Sequence, residues 1–230
     1  MDKDLMNDQP EKEILADDEK TKDQEAPVPG ERRFIGKVID NKRHGVVEKY
    51  DENASLISSH PFEKGRLHGE ARRYDKSQRL KDKITYHEGV AHGPAEFYKG
   101  GEPSLFTQFH EGKPHGETTF YDPGGAVRAR TQYEHGTKHG PSVTYDLLGR
   151  VKRVSHYHNG ILEGPTMDYY PNGALLTSGF YVQGKRHGEF LSYYENGVVR
   201  QVLVFDMGRL VRKPQFYDSH GNPMSSGVER

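Results

Sequence analysis

The chain contains no cysteine among its 230 residues, and hydrophobic residues make up only 32% of it. Without cysteine there are no disulfides, no thiolate nucleophile and no cysteine-based zinc ribbon. The shortage of apolar residues, with a mean hydropathy of -0.94, argues against a large conventional core. Long apolar runs are missing too. The clearest one is Val202 to Phe205, far short of a membrane span. Met1 is followed by "DKDLMNDQPEKEILADDEK", which has neither the basic start nor the apolar stretch of a secretory leader. A cytoplasmic protein is the expectation.

Glycine (26) and tyrosine (14) are abundant instead, which suits many turns and a thin β-architecture. Charge is uneven. Residues 1–30 carry a net −6 and residues 31–230 a net +5. The first segment is polar, lacks aromatics and ends in "APVPG", so an acidic disordered tail is predicted over 1–30.

Internal repetition decides the rest. His-Gly pairs recur at His44-Gly45, His68-Gly69, His92-Gly93, His115-Gly116, His139-Gly140 and His187-Gly188, with Glu163-Gly164 filling the one long gap. Five residues after each glycine stands a tyrosine: Tyr50, Tyr74, Tyr98, Tyr121, Tyr145, Tyr169 and Tyr193, with Tyr217 in a degenerate last copy. Three residues before each His-Gly (or Glu-Gly) stands Gly65, Gly89, Gly112, Gly136, Gly160 or Gly184, with Asn41 at that place in the first copy. Three residues before these glycines, and before Gly208 of the last copy, stands an aromatic: Phe62, Tyr86, Phe109, Tyr133, Tyr157, Tyr181 or Phe205. Another glycine follows each later tyrosine by four, and in two copies it forms Asn172-Gly173 and Asn196-Gly197.

Asn-Gly between two β-prone runs predicts a type I′ hairpin turn there. The "GxxHG" segment then closes one hairpin and starts the next, its glycines supplying conformations other residues reach only with strain. Alternation along the second strand puts Leu80, Ile84 and Tyr86, or Val127, Thr131 and Tyr133, on a sticky face. Lys81, Lys83, Arg128, Arg130, Lys152 and Arg200 fall on the opposite one. The expected fold is all-β: an elongated meander over 31–230 of about seven to eight stacked hairpins of 23–24 residues. Each hairpin is expected to bury its neighbour's tyrosine and aliphatic column.

The pattern "YxxGxxHGxxxxYYxNGxL/V" resembles MORN-repeat proteins, in the variant of bacterial antitoxin and immunity-type proteins (the YwqK-like family). It covers nearly all of 34–221. The pattern departs at Asn53-Ala54 and Ser77-Gln78, where the turn glycine is replaced, and in the last copy, which loses its His-Gly.

No chemistry is expected of the histidines. Equivalent positions in successive hairpins lie two strands apart, about 9.5 Å, too far to share one zinc. "HEGVAH" (His87 to His92) and "HEGKPH" (His110 to His115) space their histidines by five and contain turn residues, whereas the zinc-protease motif needs i, i+4 on a helix. No phosphate-binding or nucleophile-elbow motif is present. Asp75, Asp122, Asp146 and Asp206 sit beside turns, where aspartate is common for backbone reasons. No catalytic residue, cofactor or metal is therefore expected.

The long repeat sheet offers an extended surface, so a non-enzymatic protein-binding role is expected. The resemblance implies a toxin-like protein partner blocked by the sheet. The alternative is a scaffold docked to anionic lipid through its basic face. A net +5 over the repeats is too weak a footprint for a nucleic-acid partner. The sequence leaves the oligomeric state open.

Overall fold

The computed structural model describes residues 26–225. Positions 1–25 of the predicted tail lie outside them. The rest of that segment runs into Gly30, whose N–H donates to the Asp51 carbonyl at 2.7 Å.

The described residues contain no helix and form one antiparallel sheet of 21 strand segments. Pairing is sequential throughout. Strand Arg32–Ile39 pairs with Lys42–Tyr50, which pairs with Leu56–Glu63, and the meander runs on to Val199–Asp206 and Pro223–Met224. The expected all-β hairpin meander is what the chain forms.

Two kinds of turn alternate, and they are not distributed as the Asn-Gly pairs predict. Two-residue turns with positive φ at both positions lie at the "GxxHG" end: Lys64-Gly65 (51° and 76°), Glu88-Gly89, Glu111-Gly112, His135-Gly136, Asn159-Gly160, Gln183-Gly184 and Met207-Gly208. This is type I′ geometry, which matches the twist of the flanking strands. Each turn glycine also donates its N–H to a carbonyl in the preceding repeat, as Gly89 does to Leu67 (2.7 Å) and Gly160 to Lys138 (2.8 Å). These bonds stitch successive hairpins along one margin.

Asn172-Gly173 and Asn196-Gly197 instead occupy longer loops at the other margin. The Gly173 N–H donates to Tyr170 O, Tyr170 N–H donates to Ala174 O, and only Gly173 takes a positive φ. Asn172 uses its Oδ1 to accept the Ala174 N–H (2.9 Å). Aspartates cap the corresponding loops from two positions earlier, where this loop has Tyr170: Asp75 Oδ1 accepts from Ser77 and Arg79, and Asp146 Oδ1 from Leu148 and Arg150. The side chain caps its own loop, which removes any need for a left-handed asparagine. Asp206 differs, flanking the two-residue turn at Met207.

Register unites two sequence columns. The His-Gly glycines lie directly opposite the aromatics: Gly45 opposite Phe62, Gly69 opposite Tyr86, Gly93 opposite Phe109, Gly116 opposite Tyr133, Gly140 opposite Tyr157, Gly164 opposite Tyr181 and Gly188 opposite Phe205. Gly140 has φ +91°, and a Cβ there would press on Gln132. The glycine meets both the backbone and the packing demand.

The interior is one face of this sheet. Ala71, Ile84, Tyr86, Ala95, Phe97 and Leu105 form the buried cluster, with Leu67, Ala91, Phe109 and Phe120 packed against it. A single row then crosses the sheet through Ile84, Ala95, Thr107, Thr118, Thr131, Ser142 and Ser155. Thr107 and Thr118 are fully buried and share a 2.6 Å hydroxyl hydrogen bond, and Thr131 and Ser142 share one of 2.8 Å. Pairing satisfies hydroxyls that would otherwise cost free energy to bury. The tyrosine column lies elsewhere. Tyr50, Tyr74, Tyr98, Tyr121, Tyr145, Tyr169, Tyr193 and Tyr217 are half-buried, and Tyr98 falls beside Glu96 on the face opposite Phe97. The expectation that hairpins stack by burying these tyrosines in the core is corrected. Alternation along each tyrosine's own strand points the ring to the outer face, and a β-bulge in the partner strand, as opposite Arg73 and Tyr74, sets what it faces there.

Candidate interaction surface

Of the predicted basic residues, Lys83 and Arg130 lie on the outer face, opposite Glu96 and Thr119, and the other four recur because they stand at bulges. Arg73 pairs with Asp82 and Tyr74 with Leu80, so Lys81 is the extra residue of a bulge. Arg128, Lys152 and Arg200 occupy the same place in their hairpins. All four are exposed. Lys83 and Arg130 sit in regular positions.

Carboxylates temper this stripe. Lys83 pairs with Glu96 at 2.8 Å, Arg130 with Glu117 at 4.0 Å and Arg128 with Asp122 at 3.9 Å. Arg128 and Arg200 also lie over the rings of Phe120 and Tyr194, at 5.8 and 5.6 Å. The Lys83 and Tyr98 hydrogen bonds hold the Glu96 carboxyl below its ordinary value. Burial, reinforced by the Glu96 carboxylate, pushes the Tyr98 hydroxyl up to about 12. Tyr50 reaches about 12 as well, through burial and its 2.5 Å bond to Glu48. These phenols stay protonated donors.

Further along the chain the outer row turns apolar. Opposite one another, in sequence, lie Val143 and Val154, then Met167 next to them, and later Leu191 and Val202, all half-buried. An open depression of about 520 Å³ is lined by Arg150, Val151, Val154, Tyr169, Pro171, Asn172 and Gly173. Beside it, the loop Asp146–Arg150 presents Leu147 and Leu148 at 76% and 75% exposure. Sequence reasoning passed over this pair. Its signal was there: the equivalent loops read "KSQ", "PGG" and "ENG", and only "LLG" is greasy.

The histidines also gather differently from the expectation. His68 lies one position beyond the Gly69–Tyr86 pair, opposite His87, with ring centroids 4.9 Å apart. His92 lies opposite His110 (5.0 Å) and His139 opposite His158 (4.7 Å). The two-strand gap between His-Gly histidines is thus filled by strand-end histidines, which directly follow the aromatic column in the sequence. Segments His87–His92 and His110–His115 wrap two-residue turns, as their glycines indicated. Glu163, standing where other copies have histidine, accepts the Gln183 N–H at 2.6 Å. Among the described residues no three His, Asp or Glu side chains converge on a common point.

Comparison with solved structures finds distant likenesses. A mutant of S. aureus TarM in complex with fondaparinux and UDP is 14% identical, over 62% of this chain and 19% of that one, with a TM-score of 0.20. A porin-like protein from Bacteroides uniformis is 10% identical, over 81% and 84%, with a TM-score of 0.19. A TcdB2-TccC3-Cdc42 structure is 14% identical, over 80% and 13%, with a TM-score of 0.17. Superposition this poor carries no inference of function. No curated protein matches the chain. Residues 186–206 match the family model of the MORN repeat variant. They span the hairpin of strands Lys185–Tyr193 and Val199–Asp206, so the chain carries a MORN repeat of the variant type within a sheet of like hairpins.

Proposed function

We propose that this protein is a non-enzymatic repeat scaffold that binds a protein partner, in the manner of an antitoxin or immunity protein that occludes a toxic enzyme. The observation that carries the reading is the Leu147-Leu148 loop beside the depression lined by Val151, Val154, Tyr169 and Pro171. Two adjacent leucines three-quarters exposed on a loop give up hydrophobic burial for nothing within the chain. An apolar anchor next to an aromatic-lined hollow and an arginine has the anatomy of an interface hot spot. Repetition supplies a long surface around it. The ion pairs along the basic stripe favour a protein over an anionic membrane as partner, because lipid headgroups must compete with carboxylates already in place.

The test is capture from a native lysate at physiological salt with wild type and a Leu147→Ser/Leu148→Ser double variant. The expected result is one stoichiometric protein whose toxicity is suppressed by the wild type and not by the variant. Retention on anionic vesicles that is lost with added salt, with no such protein, would replace this reading by the lipid scaffold.

A further inference from the structure

Eight histidines line one margin of the outer face. Six form an unbroken row, His68, His87, His92, His110, His115 and His135, with successive centroids 4.9, 6.1, 5.0, 5.6 and 5.5 Å apart. His139 and His158 form a separate pair at 4.7 Å. None of these spacings is imposed by packing in a core. Of the opposed pairs, His87, His92, His110 and His158 are exposed, while His68 and His139 are partly so.

We propose that the three directly opposed pairs, His68/His87, His92/His110 and His139/His158, are binding sites for a divalent transition metal, with Zn²⁺ the natural probe. Zinc sits about 2.0–2.1 Å from an imidazole nitrogen, which places the ion about 3.2 Å from the ring centroid. Two imidazoles on one ion then have centroids about 5.2 Å apart in tetrahedral geometry and about 4.5 Å apart in square-planar geometry. The three opposed pairs, at 4.9, 5.0 and 4.7 Å, fall inside that window. The diagonal contacts, at 5.5 to 6.1 Å, fall outside it.

The cause is the register. The His-Gly histidine and the residue after the aromatic face each other across adjacent strands, at the Cβ separation a bidentate site needs. Carboxylates stand behind two of the pairs: Glu63 Oε2 is 3.5 Å from His68 Nε2, and Glu134 Oε2 is 3.3 Å from His139 Nδ1. A carboxylate that closes to hydrogen-bond distance on one ring nitrogen would orient the imidazole and raise the basicity of the other. Each site offers two protein ligands, so water completes the coordination and binding is weaker than at a four-ligand structural site.

The full chain is titrated with ZnCl₂ by calorimetry, and separately loaded with Cu²⁺ for electron paramagnetic resonance. The expected result is one zinc per opposed pair, with His158→Ala and His110→Ala each removing about a third of the bound zinc. His187→Ala and His220→Ala, outside the pairs, leave the stoichiometry unchanged. The Cu²⁺ spectrum should show splitting from two nitrogen donors. Unchanged stoichiometry in both pair-breaking variants, with the far-ultraviolet dichroism of the wild type, overturns the proposal. A wild-type copper spectrum without nitrogen splitting does so without any variant.

Discussion

The hairpins between Leu56 and Glu134 and those between Val151 and Asp206 have the same turns, bulges and glycine–aromatic pairs, yet differ inside. In the first stretch Ala71, Ile84, Tyr86, Ala95, Phe97, Leu105 and Tyr133 are all less than a tenth exposed. In the second, Ser155 is the sole buried residue among those described. There the Phe190 ring occupies the space opposite Gly179, edge-on to Tyr181 and Phe205 at 5.4 and 5.3 Å, with the Arg186 guanidinium over both phenylalanine rings. Ion pairs embedded in the inner face follow the same division. Arg73 grips Asp82, which is 2% exposed, through Nε at 2.9 and 3.0 Å. Its counterpart, Arg153 with Asp168, is more open to solvent. The lesson is that turn chemistry and register propagate along a repeat sheet independently of how well each hairpin is packed, as expected when stability is a sum of local and nearest-neighbour contributions.

The sharpest way to break this comparison is truncation in each half. Phe97→Ala should cost about 3–5 kcal/mol in a denaturant melt and Leu203→Ala, half-buried, about 2 kcal/mol or less. Equal losses would mean that the second half is as tightly packed as the first. Next, Asp82→Asn should cost about 3 kcal/mol, because it removes a buried carboxylate that Arg73 grips. Asp168→Asn should cost about 1 kcal/mol, since water reaches Arg153. Burial raises the Asp168 carboxyl, but the Arg153 and Thr177 hydrogen bonds outweigh it and hold the carboxyl below its ordinary value.

A smaller effect sharpens the turns. Gln78 and Ala54 sit at φ 60° and 59° where later copies place glycine. Gln78→Gly should therefore stabilise by about 1 kcal/mol, and Gly173→Gln should do the reverse. Identical melting of Gln78→Gly and wild type would show that the Asp75 cap already absorbs the strain.

The smallest effect is the pH dependence carried by His60. Burial, helped by the Arg73 charge, lowers its pKa, so the folded state holds it neutral. Its contribution is complete above the unfolded value of about 6.5 and is lost as pH falls through the lowered folded value. His60→Gln should flatten that part of the stability profile. A profile identical to wild type would place the acid sensitivity elsewhere.

Much of the fold was legible in the sequence because its signals are local. A glycine three residues before each His-Gly needs a left-handed turn, and alternation puts Ile84 and Tyr86 on one side and Lys83 on the other. The type I′ turns were misplaced because Asn-Gly is also satisfied by a capped longer loop, and only the strand ends distinguish the two. The candidate surface was legible in part. The basic residues could be read from a recurring offset, but their carboxylate partners come from adjacent strands and have no fixed offset within one repeat.

The sequence by itself determined the repeat, the all-β class and the positions where the backbone must turn, since glycine, asparagine and aspartate act through bonds to near neighbours. Only the tertiary structure decided which residues meet across strands. It paired each glycine with the next strand's aromatic, drew Thr107 against Thr118, set a bulge opposite the tyrosine column in hairpin after hairpin, and put His92 beside His110. Contacts of this kind depend on register, and a shift of one residue would send every side chain to the other face.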